Sequence, residues 1–171
     1  MRFPIFPLAM AMVVLGAFVQ PVRAADPPAS VAWQGPANAW IASHARRVGG
    51  EAPRDKRSTC EGDVNGDGHA DVVVIYTIEG IGGGSGHDWT QYMTVMTSTP
   101  QGFGVTLPKE VGGKSKRAVE SCTVAGALVD AVVKEYAPED ASCCPSRPGQ
   151  AHYAFKNGAL VDVPVPAPSG K

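Results

Sequence analysis

The run Asp71 to Ile78, DVVVIYTI, constrains the fold of this chain more than any other stretch. Its residues are largely β-branched or aromatic, which favours an extended backbone, and apolar side chains fall on both faces. A strand of this kind has to be covered on both sides, so it is read as a central strand. The next extended segment, WTQYMTVMTST at 89 to 99, alternates: Trp89, Gln91, Met93 and Val95 share one face, and Thr90, Tyr92, Thr94 and Met96 the other. Further strands are expected at 102–107, 117–124 and 127–136. Near the end, AHYAFK and ALVDVP flank Asn157-Gly158, a pair that tolerates the positive φ angles of a two-residue hairpin turn. Earlier in the chain, Trp40, Ile41, His44, Ala45 and Val48 recur at helical spacing, with Gly49 and Gly50 as a stop, so one short amphipathic helix is expected. Residues 51–59, EAPRDKRST, read as a charged connection. Short strands joined by glycine-rich turns imply an antiparallel sheet of about five to seven strands. The single helix packs on one face of it, giving an α+β fold that is mainly β.

The ends of the chain bear on compartment. Residues 1–24 carry an early cation, Arg2, an apolar stretch from about Ile5 to Val19, and then Val22 and Ala24 as small residues before a cleavage point, which is the pattern of a signal peptide. The apolar stretch falls short of the about 20 residues of a membrane span, and no second such stretch follows. Residues 25–36 are proline-rich and read as an extended leader, 37–165 as one β-rich domain, and 166–171 as a disordered tail. Cleavage after Ala24 leaves 13 of the 15 Lys and Arg residues against 16 Asp and Glu, an acidic balance that offers nucleic acid nothing. The expected location is the periplasm or the exterior. Cys60, Cys122, Cys143 and Cys144 are an even set, read as two disulfides. A bond between neighbours would close a strained ring, since disulfides normally join Cα atoms about 5.5 Å apart. Cys143 and Cys144 are therefore expected to reach Cys60 and Cys122 in some order. A zinc site lacks both a C-x-x-C pair and paired histidines.

Directly before the central strand stands CEGDVNGDGHAD. Side-chain oxygens recur at Asp63, Asn65, Asp67 and Asp71, positions 1, 3, 5 and 9 of a loop, and His69 at position 7 offers its carbonyl. Gly66 and Gly68 allow the tight turns that bring alternate residues inward. A calcium ion takes about six to eight oxygens at about 2.3 to 2.6 Å, and this set with water approaches that number. Without a cation the carboxylates repel, by on the order of 4 kcal/mol per pair 4 Å apart at an effective dielectric of about 20. Magnesium, which prefers a smaller and more rigid octahedron, and a merely solvated acidic turn are the alternatives. Position 12, a bidentate Glu in helix–loop–helix calcium sites, is Val74 here, so the loop leads into a strand. The stretch DVNGDGHADVVVIY resembles the calcium loops of FG-GAP and VCBS repeats, in which an acidic loop precedes an apolar strand. The resemblance covers about fourteen residues and no internal repeat is present. It implies calcium held through Asp63, Asn65, Asp67, His69 and Asp71, and a structural or adhesive domain more than an enzyme.

GIGGGSGHDW, Gly80 to Trp89, is not a phosphate cradle, because no Gly-Lys-Ser/Thr follows and it leads into a strand. Nor is it a nucleophile elbow on Ser85, since His87 stands where glycine is required. It reads as a long flexible hairpin loop. Gly84, His87, Asp88, Trp89 and Tyr92 form its candidate contact surface, aromatic residues being common interface anchors. With no activated nucleophile and no cofactor motif, the expectation is an exported, calcium-binding, non-catalytic domain. Its partner would be a protein or cell-envelope component, and its role that of an inhibitor or immunity protein. The alternative is a periplasmic hydrolase acting on cell-wall or extracellular polymer, with His87 or a carboxylate among Glu135, Glu139 and Asp140 as acid or base.

Overall fold

The computed structural model describes residues 32–84 and 87–164. The signal peptide, most of the leader, Ser85 and the tail lie outside the described residues. Helix α1, Gln34–Arg47, begins inside the segment expected to be extended. Its first intrahelical bond is donated by the Ala37 amide to the Trp33 carbonyl at 3.0 Å. Pro36 falls in the first turn, where a missing N–H leaves no bond unmade. Nine strands follow among the described residues: β1 Arg57–Gly62, β2 Asp71–Glu79, β3 Trp89–Thr99, β4 Gly102–Val105, β5 Lys109–Gly113, β6 Arg117–Ala125, β7 Leu128–Glu135, β8 Arg147–Lys156 and β9 Ala159–Val163. All pairings are antiparallel, in the order β1-β2-β3-β5-β6-β7-β8-β9, with β4 also paired to β3. The α+β, mainly β class is as expected. The strand number is higher, because β1 and β5 are also strands.

β2 is buried along almost its whole length, and its two faces serve two different cores. Val73 and Ile75 join Met93 and Val95 of β3, Val119 of β6, Val129 and Val133 of β7, and Tyr153 of β8. One sheet thus supplies both walls of this main core, by curling until β1 lies against β6. The approach is close: a Cβ on Gly62 would stand 2.6 Å from Val124 Cγ1. On the opposite face Val72, Val74, Tyr76 and Ile78, with Met96 of β3, receive Ala37, Ile41 and Ala45 of α1. The outer face of β6 to β9 has no helix over it among the described residues, and Leu128 and Val132 are exposed there.

The β8–β9 hairpin turns at Asn157 and Gly158, with φ of 52° and 77°, between Lys156 and Ala159. The disulfide expectation is corrected. Cys60 bonds Cys122, with Cα atoms 5.7 Å apart, and Cys143 bonds its neighbour Cys144. The curl of the sheet sets Cys60 of β1 against Cys122 of β6. Cys122 pairs with Ala131, four residues before the end of β7 at Glu135. The 136–146 loop is therefore held roughly 14 Å of strand away from it.

Candidate metal centre

The acidic stretch is the turn from β1 into β2. Gly66 and Gly68 take φ of 80° and 85°, left-handed values that side chains resist. These two residues turn successive backbone amides inward, and the acidic side chains accept from them. Asp63 Oδ1 accepts from the amides of Gly66 (2.7 Å) and Asp67 (3.1 Å), and its Oδ2 from Gly68 (2.9 Å). Asn65 Oδ1 also accepts from the Asp67 amide at 2.9 Å, while Asn65 Nδ2 donates to Asp67 Oδ2 at 2.9 Å. Asp67 Oδ1 accepts from the His69 amide at 2.8 Å. That amide first, and the Asn65 side chain second, hold the Asp67 carboxyl below the ordinary carboxylate range. Inward-facing amides of this kind are a fixed partial positive charge, which offsets the repulsion expected from the sequence.

Asp71 differs from the others. It is fully buried, and its Oδ2 accepts from the amides of Val64 (3.1 Å) and Asn65 (3.3 Å). Its Oδ1 crosses to β3 and accepts from the Ser98 amide at 2.9 Å. Val64, between Asp63 and Asn65, is fully buried in the main core. The turn is thus pinned at both ends, while residues 65–70 are exposed. Val64 and the Ser98 amide are the parts that sequence reasoning misses. A single large apolar residue inside an otherwise polar or small-residue loop is the signal for the first, and the second needs the β2–β3 register.

Among the described residues, no three His, Cys, Asp or Glu side chains are gathered as a metal-binding group. The donor chemistry nevertheless suits a hard cation. The side chains at 63, 65, 67 and 71 offer oxygen, and an ionised carboxylate has about four lone-pair sites. Asp67 accepts two hydrogen bonds, leaving about half its capacity open. Asp63 and Asp71 each accept three. His69 is exposed.

The second group of candidate residues lies at the opposite end of β2, which at nine residues spans roughly 27 Å. Gly84 and His87 are exposed and Asp88 and Trp89 half-buried. Asp88 forms an ion pair with Lys114 at 2.7 Å. Tyr92 does not join them: it faces α1, 4.6 Å from the His44 ring and 5.8 Å from that of Tyr76. Residues 80–84 of the expected hairpin loop lie against the end of α1. The chain turns tightly at Ile81–Gly83, with Gly82 and Gly83 at positive φ of 69° and 77°, and the amides of Gly82 and Gly83 donate to the carbonyls of Val48 and Gly49 at 2.9 and 3.2 Å. Among the residues of the hydrolase alternative, Asp140 accepts from the amides of Ala137 and Ser146, both at 2.8 Å.

One titratable pair emerges only from strand register. Asp130 of β7 and His152 of β8 are directly opposed, 2.5 Å apart, beside a cleft of about 310 Å³ lined also by Ser121, Thr123 and Gln150. No protein-family model, curated protein or solved structure matches this chain.

Proposed function

We propose that the protein is an exported, non-catalytic domain whose 63–71 loop binds calcium and which engages another macromolecule, in the manner of an inhibitor or immunity protein. The observation carrying this reading is the loop itself: oxygen-bearing side chains at alternate positions around two left-handed glycines, pinned to the core by Val64 and Asp71. The backbone of such a loop is already ordered, so a cation would have only side chains left to turn towards it, which favours binding. The two disulfides suit an oxidising compartment. Among the described residues no helix is long and apolar enough to cross a membrane.

Calcium would hold the start of β2, while Gly84, His87, Asp88 and Trp89 at its far end would meet the partner. The two ends are tied down by separate hydrogen bonds, so they are separable by mutation. The test is capture of a macromolecule from periplasmic extract by the calcium-loaded protein. Loss of that partner in His87→Ala/Trp89→Ala, at an unchanged urea midpoint, supports this surface. Retention of the partner by the folded double variant contradicts it.

A further inference from the structure

We infer that the Cys143–Cys144 disulfide is a redox-active site, exchanging with a dithiol while the rest of the domain stays folded. The two bridges of this chain differ in what they can do. Cys60–Cys122 joins residues 62 apart in sequence, and its Cys122 belongs to the main core, with Cys60 packed against it. It fastens β1 to β6. Cys143–Cys144 joins immediate neighbours. Closing so small a ring removes far less freedom from the unfolded chain than closing one across 62 residues, so by that route it adds far less to stability. Both of its cysteines are exposed, where an attacking thiolate can reach them.

A second observation shows that the surrounding loop keeps its shape by other means. The Asp140 carboxylate accepts from the amides of Ala137 and Ser146, one on each side of the cysteine pair. These contacts, Ala137 foremost, hold the carboxyl below the ordinary range and so keep it an acceptor into acid. The Tyr136 hydroxyl donates to the Ser142 carbonyl at 2.6 Å, and the Cys144 amide to the Ala141 carbonyl at 2.9 Å. None of these bonds uses a sulfur atom. The bridge can therefore open and close on a loop that is already fastened.

The exchange proceeds in two steps. A thiolate of the dithiol attacks one sulfur of the pair, the Cys143–Cys144 bond breaks, and the other sulfur leaves as a thiolate and takes up a proton. The dithiol's second thiol, once deprotonated, attacks the mixed disulfide and releases the remaining cysteine, which is protonated in turn. Two electrons and two protons pass to the protein, and the dithiol becomes a disulfide. The reverse reaction oxidises the loop. None of this depends on the calcium reading.

The test equilibrates the oxidised protein with dithiothreitol over a range of concentrations, alkylates with iodoacetamide, maps the labelled peptides and records the melt at each concentration. Label is expected on Cys143 and Cys144 at a concentration at least about tenfold below that which opens Cys60–Cys122, with Tm moved by no more than about 5 °C. Opening of both bridges together, a Cys143–Cys144 bridge that stays closed until the chain unfolds, or a larger fall in Tm on its selective opening would each overturn the inference. Cys143→Ser/Cys144→Ser should melt within about 5 °C of the wild type and take no label at the low concentration. A markedly lower Tm in this variant makes the bridge structural and defeats the proposal.

Discussion

Replacing Asp71 by alanine should damage the fold whether or not any cation is present. The side chain is fully buried and accepts from three backbone amides, Val64, Asn65 and Ser98. A buried donor left without a partner costs about 1 to 3 kcal/mol. Asn65 is exposed and Ser98 half-buried, so water can replace the partner of the first and part of that of the second, and the penalty falls mainly on Val64. One fully buried donor and one half-buried donor set an expected loss of about 2 to 3 kcal/mol. The assay is urea unfolding of the wild type, Asp71→Ala and Asp71→Asn, all with excess chelator. Asparagine retains one carbonyl acceptor and should fall between the other two. Asp67→Ala, altering a fully exposed side chain, should leave the midpoint where it is under the same conditions. A loss below about 1 kcal/mol for Asp71→Ala, or an equal loss for Asp67→Ala, would refute the view that Asp71 pins the turn to β3.

Three further outcomes follow from the packing. His44 donates to or accepts from the Tyr76 hydroxyl at 2.7 Å beneath α1, and burial first, then Arg47, lowers its pKa from 6.5. The unfolded chain therefore binds this proton more readily, so stability present above pH 6.5 should fall as the pH drops from 6.5 towards the folded value. Urea midpoints at pH 7.5 and at about pH 5 should differ less in His44→Gln than in the wild type, and an equal difference counts against it. Removing the Cys60–Cys122 bridge, with its separation of 62 residues, should destabilise by about 4 kcal/mol in equilibrium unfolding. Ile41→Ala, at a fully buried contact of α1 with β2, should cost about 2 to 5 kcal/mol in the same assay, and a loss under about 1 kcal/mol would mean that α1 packs only loosely.

Local pattern made much of this fold legible. The double-sided burial of β2, the alternation of β3 and the Asn157-Gly158 turn each follow from a few adjacent residues. β1 and β5 escape such reading, because RSTCEG is polar and KEVGG ends in two glycines. Their extended state is imposed by neighbours: β1 by pairing along β2, and β5 by filling the edge of β3 that β4 leaves free. Disulfide pairing is legible least of all, since it depends on how the sheet curls. In the candidate site, Gly66 and Gly68 announce the turn. That Asp71 looks inward to Ser98 and Val64 enters the core could not be read without the register of β3 against β2.

The proposed function rests on the 63–71 loop binding calcium in preference to magnesium. The most direct measurement is the melting of the chelator-treated, fully oxidised protein as each ion is added back, after residual metal has been assayed. A site with calcium at a hundredfold excess over its Kd stabilises the fold by about 2.7 kcal/mol, which raises Tm by several degrees. Such a rise is expected with millimolar calcium, a far smaller one with magnesium, and loss of the calcium response in Asp67→Ala. A Tm unmoved by calcium, or moved equally in wild type and Asp67→Ala, would contradict calcium binding at this loop.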